Sequence, residues 1–193
     1  MKLYLATSNP GKIREFTGAG LDIEMLPAMA TLAVAPETGA TFEENAIQKA
    51  TYYGPHAPGW LIAEDSGLEV DALGGAPGVH SARWAGHDAA NNERLMREMA
   101  GHSVRTARYV CVIALVEGTR VLATFRGTVE GEILDGPRGE GGFGYDPYFL
   151  FPPAGRSFAE MTKEEKAGVS HRGQAIAKLI SWLGDSSSRP DSQ

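Results

Sequence analysis

Apolar positions recur along this chain with two periods, and the switches between them mark out its elements. Lys2 to Ala6 alternates as a strand does, and after the breaker Asn9-Pro10-Gly11 the segment from Gly11 to Phe16 turns helical. Phe42, Ala46, Ala50 and Tyr53 share one face of a helix over 41–53, whose start is marked by the capping box Thr41 and Glu44. Trp60 to Ala63 is a short apolar run that reads as a buried strand stopping at Glu64-Asp65-Ser66-Gly67, ahead of the loop Gly74-Gly75-Ala76-Pro77-Gly78. Asp88 is placed to cap a helix from Ala89 to about Ala100. Ala107 to Glu117 and Arg120 to Glu130 read as a hairpin turning at Gly118-Thr119. Gly136 to Pro153 is irregular and dense in glycine and aromatic residues. Thr162 and Glu165 make a second capping box, and a last helix from Ser170 to Leu183 is expected to bury Ile176, Leu179, Ile180 and Leu183. Strands interleaved with helices predict an α/β fold, and the hairpin makes its sheet a mixed one.

Composition narrows the picture. No repeat or long linker divides the chain, so residues 1–183 are expected as one domain, with Gly184 to Gln193 a disordered polar tail. At 193 residues folding buries roughly 70 % of the unfolded surface, enough for a core without disulfide or metal staples. The single cysteine, Cys111, has no partner for an intramolecular bridge. No run reaches the roughly 18 apolar residues of a membrane span. Met1 to Thr7 lacks the apolar run and cleavage site of a signal peptide, so the expected location is cytoplasmic with no membrane partner. Lys and Arg number 18 and Asp and Glu 24, a net charge of −6, which argues against the broad positive face that nucleic acid requires. A local basic pocket for a phosphorylated small molecule remains compatible with that balance.

Four constellations could carry chemistry. In Thr7-Ser8-Asn9-Pro10-Gly11-Lys12, polar side chains, a helix start with free N–H groups and a lysine suit a phosphate. The first glycine of a Walker A loop is absent, and Ile13 follows Lys12, so an ordinary helix-capping turn is the competing reading. Glu37 and the pair Glu64-Asp65 are carboxylates suited to Mg²⁺ beside substrate phosphates, and an Asp there could take a proton from water. Taken in isolation, Asp-Ser-Gly favours the reading in which Glu64 and Asp65 merely cap a turn with Ser66 and Gly67, and spacing alone does not bring Glu37 to them. Gly139 to Pro147 satisfies G-x-G-x-x-G but lacks the strand and helix of a dinucleotide fold. Glycines around Phe143 and Tyr145 would let a flat ring stack, with Asp146 at its edge, or the aromatics pack inward under a surface loop. Lys166 and His171-Arg172 suit phosphate or a purine carbonyl, against the commoner solvated face. Arg83, after the Gly/Pro loop, faces a cleft or solvent. His56, His80, His87 and His102 show no metal spacing, Ser66 lacks a nucleophile elbow, and Cys111 lies in an apolar strand.

The order of the motifs is more specific than any one of them. Leu5-Ala6-Thr7-Ser8-Asn9-Pro10-Gly11-Lys12, then Glu37 to Ala46, then Glu64 to Gly78, then Gly142 to Pro147, then Ser170-His171-Arg172-Gly173 closely resemble the inosine triphosphate pyrophosphatase family, from Lys2 to about Leu183. The resemblance implies a long mixed sheet flanked by helices and bent into two lobes around a central cleft. It implies a homodimer that hydrolyses non-standard purine nucleoside triphosphates such as dITP, ITP and XTP to the monophosphate and pyrophosphate with Mg²⁺. By the same resemblance Thr7, Ser8, Asn9, Pro10, Gly11 and Lys12 hold the triphosphate with Lys49, Ser66 touches substrate, and Asp65 activates water. Glu37 with Glu64 or Asp65 holds the metal. Phe143 stacks on the base, whose edge is read by Asp146, His171 and Arg172, with Lys166 beside them; Gly144, Tyr145 and Arg83 are further candidate substrate contacts. Ser8 and Pro10 depart from the glycine and non-proline residue of many relatives. Preference for another modified nucleotide, or binding without turnover, stands as the alternative.

Overall fold

The computed structural model describes residues 2–27 and 29–185. Strands β1 (Leu3–Leu5), β2 (Ile23–Met25), β3 (Leu61–Val70), β4 (Thr106–Glu117), β5 (Arg120–Ile133), β6 (Phe149–Phe151) and β7 (Arg156–Ser157) form one sheet in the order β2-β1-β3-β4-β5-β6-β7. β1 is parallel to β2 and β3, with Leu3 opposite Ile23 and Leu5 opposite Ile62. β6 is antiparallel to β5 and β7. The neighbours β4 and β5 are joined by the two-residue turn Gly118-Thr119, which only an antiparallel hairpin allows. Helices α1 (Pro10–Thr17), α2 (Phe42–Tyr53), α3 (Asp88–Met99), α4 (Lys163–Val169) and α5 (His171–Gly184) flank this mixed sheet, the expected α/β class.

The chain falls into two compact units: the described residues of 1–65, 111–127 and 172–193, and residues 66–110 and 128–171. Each has its own core. In the first, Phe16 of α1 and Ala175, Ile176 and Leu179 of α5 cover Leu3, Leu5, Ile62, Cys111, Ile113, Leu115 and Phe125 on the strands. In the second, Leu95 and Met99 of α3 pack with Leu68, Val70, Ala107, Tyr109, Val129, Phe149 and Phe158. Each of these large apolar side chains contributes about 1.5–3 kcal/mol on burial. Local signals set the helix starts: Asn9 caps α1, and complete capping boxes at Thr41/Glu44 and Thr162/Glu165 open α2 and α4.

Several expectations are corrected. β3 does not stop at Ala63 but continues through Glu64-Asp65-Ser66-Gly67 to Val70, buried along most of its length. Gly67 belongs in that strand because a side chain there would collide with Ser81 and with the Gly78 carbonyl. Ser81 fills the gap, its Oγ accepting the Leu68 N–H at 2.9 Å. Asp88 is the first residue of α3 rather than its cap; the cap is His87, whose ring nitrogen accepts the Ala90 N–H at 3.3 Å. Ile180 is 41 % exposed, on the outer face of α5. The irregular stretch up to Pro153 contains β6, which pairs with both β5 and β7. Of the expected tail, Gly184 ends α5, while 186–193 lie outside the described residues.

Candidate active site

The first unit carries the phosphate-type residues. Thr7, Ser8 and Asn9 follow β1, and Pro10 opens α1. Asn9 Oδ1 accepts the N–H groups of Gly11 at 2.8 Å and Lys12 at 3.2 Å, while Thr7 Oγ1 accepts from Asn9 N–H at 3.2 Å. This corrects the expectation of free donors: the cap already satisfies two N–H groups of the first turn, and Pro10 has none. What α1 offers a phosphate is therefore chiefly the Lys12 ammonium.

Because Glu64 and Asp65 are consecutive in a strand, their side chains leave β3 in opposite directions. They accordingly find different partners. Glu64 is buried and meets Lys12 of α1, Arg172 of α5 at 3.5 Å, and the Cys111 thiol of β4 at 3.3 Å. Burial alone would raise its pKa, but Lys12 and Arg172 hold the carboxyl well below the usual range. Burial and the Glu64 charge push the Cys111 thiol up, so it is a donor here and not a thiolate.

Asp65 turns to α2. Asn45 Nδ2 donates to its Oδ2 at 3.1 Å, and Lys49 Nζ to its Oδ1 at 3.2 Å. The same ammonium lies 2.9 Å from Glu37 Oε1. Asn45 and Lys49 are four residues apart on the capped helix, which places both on one face. Burial raises the Asp65 pKa above the ordinary aspartate value, with Lys49 opposing and the Glu64 charge adding to the rise. Burial lowers that of Lys49, but Asp65, Glu64 and Glu37 outweigh it and the net shift is upward. Among the described residues no three His, Cys, Asp or Glu side chains stand as a metal cage. Glu37 and Asp65 nevertheless set two hard carboxylates around one cationic point, a donor pair that suits an ion completing its shell with water and phosphate. Ser66 follows on β3, half-buried.

Of the residues expected at the base, all but Arg172 lie in the second unit. Asp146 is buried; its Oδ2 accepts the Phe143 N–H at 2.8 Å and pairs with Lys166 Nζ at 2.6 Å, and the Tyr109 hydroxyl donates to Oδ1 at 3.4 Å. Lys166, in the middle of α4, is itself buried, and its ammonium stands 4.8 Å from the centre of the half-buried Phe143 ring. The His171 ring stacks on Tyr109 at 4.7 Å. Gly144 bonds to Asp88 and Asn92 of α3. Tyr145 is buried, with its hydroxyl donating to Ser81 O at 2.8 Å. Arg172, 1 % exposed, belongs to the first unit and pairs with Glu15 and Glu64 there. Arg83 is exposed at the end of the 3₁₀ turn Gly78–Arg83. Sequence reasoning missed Asn45, Glu15, Asp88 and Asn92; only Asn45 had a local signal, its four-residue spacing from Lys49.

Comparison with known proteins matches the model described as the Ham1 family to residues 3–182. The chain belongs to the Ham1 family. It is 50 % identical over 190 residues to the dITP/XTP pyrophosphatase of an Exiguobacterium species, covering 93 % of this chain and 95 % of that protein. The solved Ham1 protein of Staphylococcus aureus aligns with a TM-score of 0.85 at 40 % identity, covering 95 % of this chain and 98 % of that one. A Mycobacterium abscessus nucleoside-triphosphatase / dITP/XTP pyrophosphatase aligns at 0.74 and 40 % identity, covering 93 % and 99 %. The family resemblance carried by the five ordered motifs is borne out, and the Ham1 match spans all of them.

Proposed function

We propose that this chain hydrolyses non-standard purine nucleoside triphosphates, dITP, ITP and XTP, to the nucleoside monophosphate and pyrophosphate. The observation that carries the proposal is Asp65: a buried carboxylate whose pKa is raised, held by Asn45 and Lys49 and sharing Lys49 with Glu37. A base is most effective when its pKa lies near the working pH, and burial moves Asp65 that way. The dITP/XTP pyrophosphatase activity named for the Exiguobacterium and Mycobacterium relatives supports the substrate class.

In the reaction, a water oxygen forms a bond to phosphorus, Asp65 takes its proton, and the bond between the α and β phosphates breaks to release pyrophosphate. Asn45 fixes the rotation of the Asp65 carboxylate, so the accepting oxygen is already oriented. Lys12 and Lys49 counter the charge of the phosphates. Glu37 and Asp65 would hold Mg²⁺, which when bound neutralises charge developing on the phosphoryl oxygens. For the base, the Lys166 ammonium beside the Phe143 ring offers a donor to a 6-oxo group. The amino group of adenine would leave that donor unpaired, at about 1–3 kcal/mol.

We infer further that residues 1–183 work as one domain, since β3, β4 and β5 are each continuous through both units. A cytoplasmic homodimer without a membrane partner completes the reading on the strength of the family resemblance, and the net charge of −6 argues against a nucleic-acid partner.

The test is pyrophosphate release from inosine, xanthosine, adenosine and guanosine triphosphates, with Mg²⁺ and after chelation. Release from the first two, abolished by chelation and restored by Mg²⁺, is expected. Release of single phosphates, or no turnover with any of the four, overturns the proposal in favour of another modified nucleotide or of binding alone.

A further inference from the structure

The base-type loop Phe143 to Asp146 has little regular structure of its own, so something else must fix its shape. Gly144 has φ +63°, in the left-handed region, and therefore no intrinsic preference holds it in one conformation. Both of its peptide groups are gripped by one helix. Its N–H donates to Asp88 Oδ2 at 2.9 Å, and its C=O accepts from Asn92 Nδ2 at 3.0 Å. Asp88 and Asn92 are four residues apart on α3, one turn on one face. The capping role that the sequence assigns to Asp88 is taken by His87, which leaves the Asp88 carboxylate available for Gly144.

We propose that Asp88 and Asn92 are positioning residues that clamp the Gly144 peptide and so preset the Phe143 ring and Asp146 for the base. This rests on the reading of that loop as the purine site. Two further observations support it. Asn92 Oδ1 is buried and makes no hydrogen bond, an unsatisfied acceptor that costs stability. An apolar side chain would pack there without that cost, so the amide is explained by the donor it aims at Gly144. The neighbouring Asn91 braces the other side of the loop, donating at 3.2 Å to the same Ser81 carbonyl that receives the Tyr145 hydroxyl. A loop held in its bound shape loses less entropy on binding, so loosening it should weaken binding rather than chemistry.

The experiment compares wild type with Asp88→Ala, Asp88→Asn and Asn92→Ala. It measures kcat and KM for inosine and adenosine triphosphates and hydrogen exchange across Glu140 to Pro147 without substrate. The two alanine variants are expected to raise KM for inosine triphosphate about five- to tenfold, as for one lost hydrogen bond. Their kcat is expected within about twofold of wild type, their preference over adenosine triphosphate narrowed, and exchange at Phe143 to Tyr145 accelerated. Asp88→Asn keeps an oxygen for the Gly144 N–H and should restore wild-type values. Alanine variants with unchanged KM, preference and exchange overturn the proposal, as does an Asp88→Asn variant as impaired as Asp88→Ala. If Asn92→Ala fails to fold, the exposed Asp88 pair decides. If wild type does not hydrolyse inosine triphosphate, the functional reading fails while the exchange measurement still decides the clamp.

Discussion

The two units build their candidate sites by opposite means. In the first, the candidate groups are side chains on regular elements: one strand supplies Glu64 and Asp65, and helices α1, α2 and α5 each bring cations to them. In the second, the important groups sit on an irregular loop whose backbone is tied down by Asp88, Asn92 and Asp146. The difference follows from the ligands proposed. Phosphates and metal ions need several full charges at fixed positions, which strands and helices provide. A flat base needs close backbone approach and a ring, which a glycine-rich loop provides.

The largest effect should come from the first unit. Asp65→Asn keeps shape but removes the base, so pyrophosphate release should fall about 10²- to 10⁴-fold with folding retained. Retention of wild-type turnover would remove Asp65 from the mechanism. Asp65 must be ionised to act, so the rate should fall as pH falls and its carboxylate takes up a proton. For the metal-free protein, a raised folded-state pKa means that stability from this group falls as pH rises through the window between its unfolded and folded values. Asp65→Asn removes that loss together with the Lys49 ion pair, so chemical denaturation should find the pH dependence of stability in that window weakened in the variant.

The second unit should respond most in stability. Lys166→Met leaves the buried Asp146 carboxylate without its cation, and breaking such a pair typically costs about 3–5 kcal/mol. Adding Asp146→Asn should recover most of that loss in denaturant unfolding, because a neutral amide is far cheaper to bury. A double variant as unstable as the single one would mean that Lys166 contributes through packing alone.

These contrasts also explain what the sequence made legible. The helix starts at Thr41 and Thr162 were readable because a capping box is complete within three residues. The hairpin of β4 and β5 was readable because a two-residue turn joins two apolar runs. The course of β3 past Ala63 was not, because Ser66-Gly67 is a local turn signal that only Ser81, far along the chain, overrides. Within the site, the residue types on α1, β3 and the base loop announced themselves. Their pairing did not: Lys49 joins Glu37 to Asp65, and Arg172 reaches Glu15, across separations that no period records.

The smallest prediction puts the same device in both units to work. α2 and α4 each open on a Thr/Glu capping box, and each carries the lysine of its site: Lys49 in the first unit and Lys166 in the second. Removing the cap by Thr41→Ala or Thr162→Ala should cost about 1 kcal/mol of stability in either case. The functional consequences should differ. Lys166 lies one turn from its cap, its N–H bonded to the Thr162 carbonyl at 2.9 Å, so fraying there reaches the lysine directly. Lys49 lies two turns in, and its face of α2 is anchored by buried Asn45, Ala46 and Ala50. Thr162→Ala should therefore raise KM for inosine triphosphate by more than Thr41→Ala does, at equal loss of stability. Equal shifts in KM would mean that the caps act only through global stability and that the loop-built site is no more sensitive to local fraying than the strand-built one.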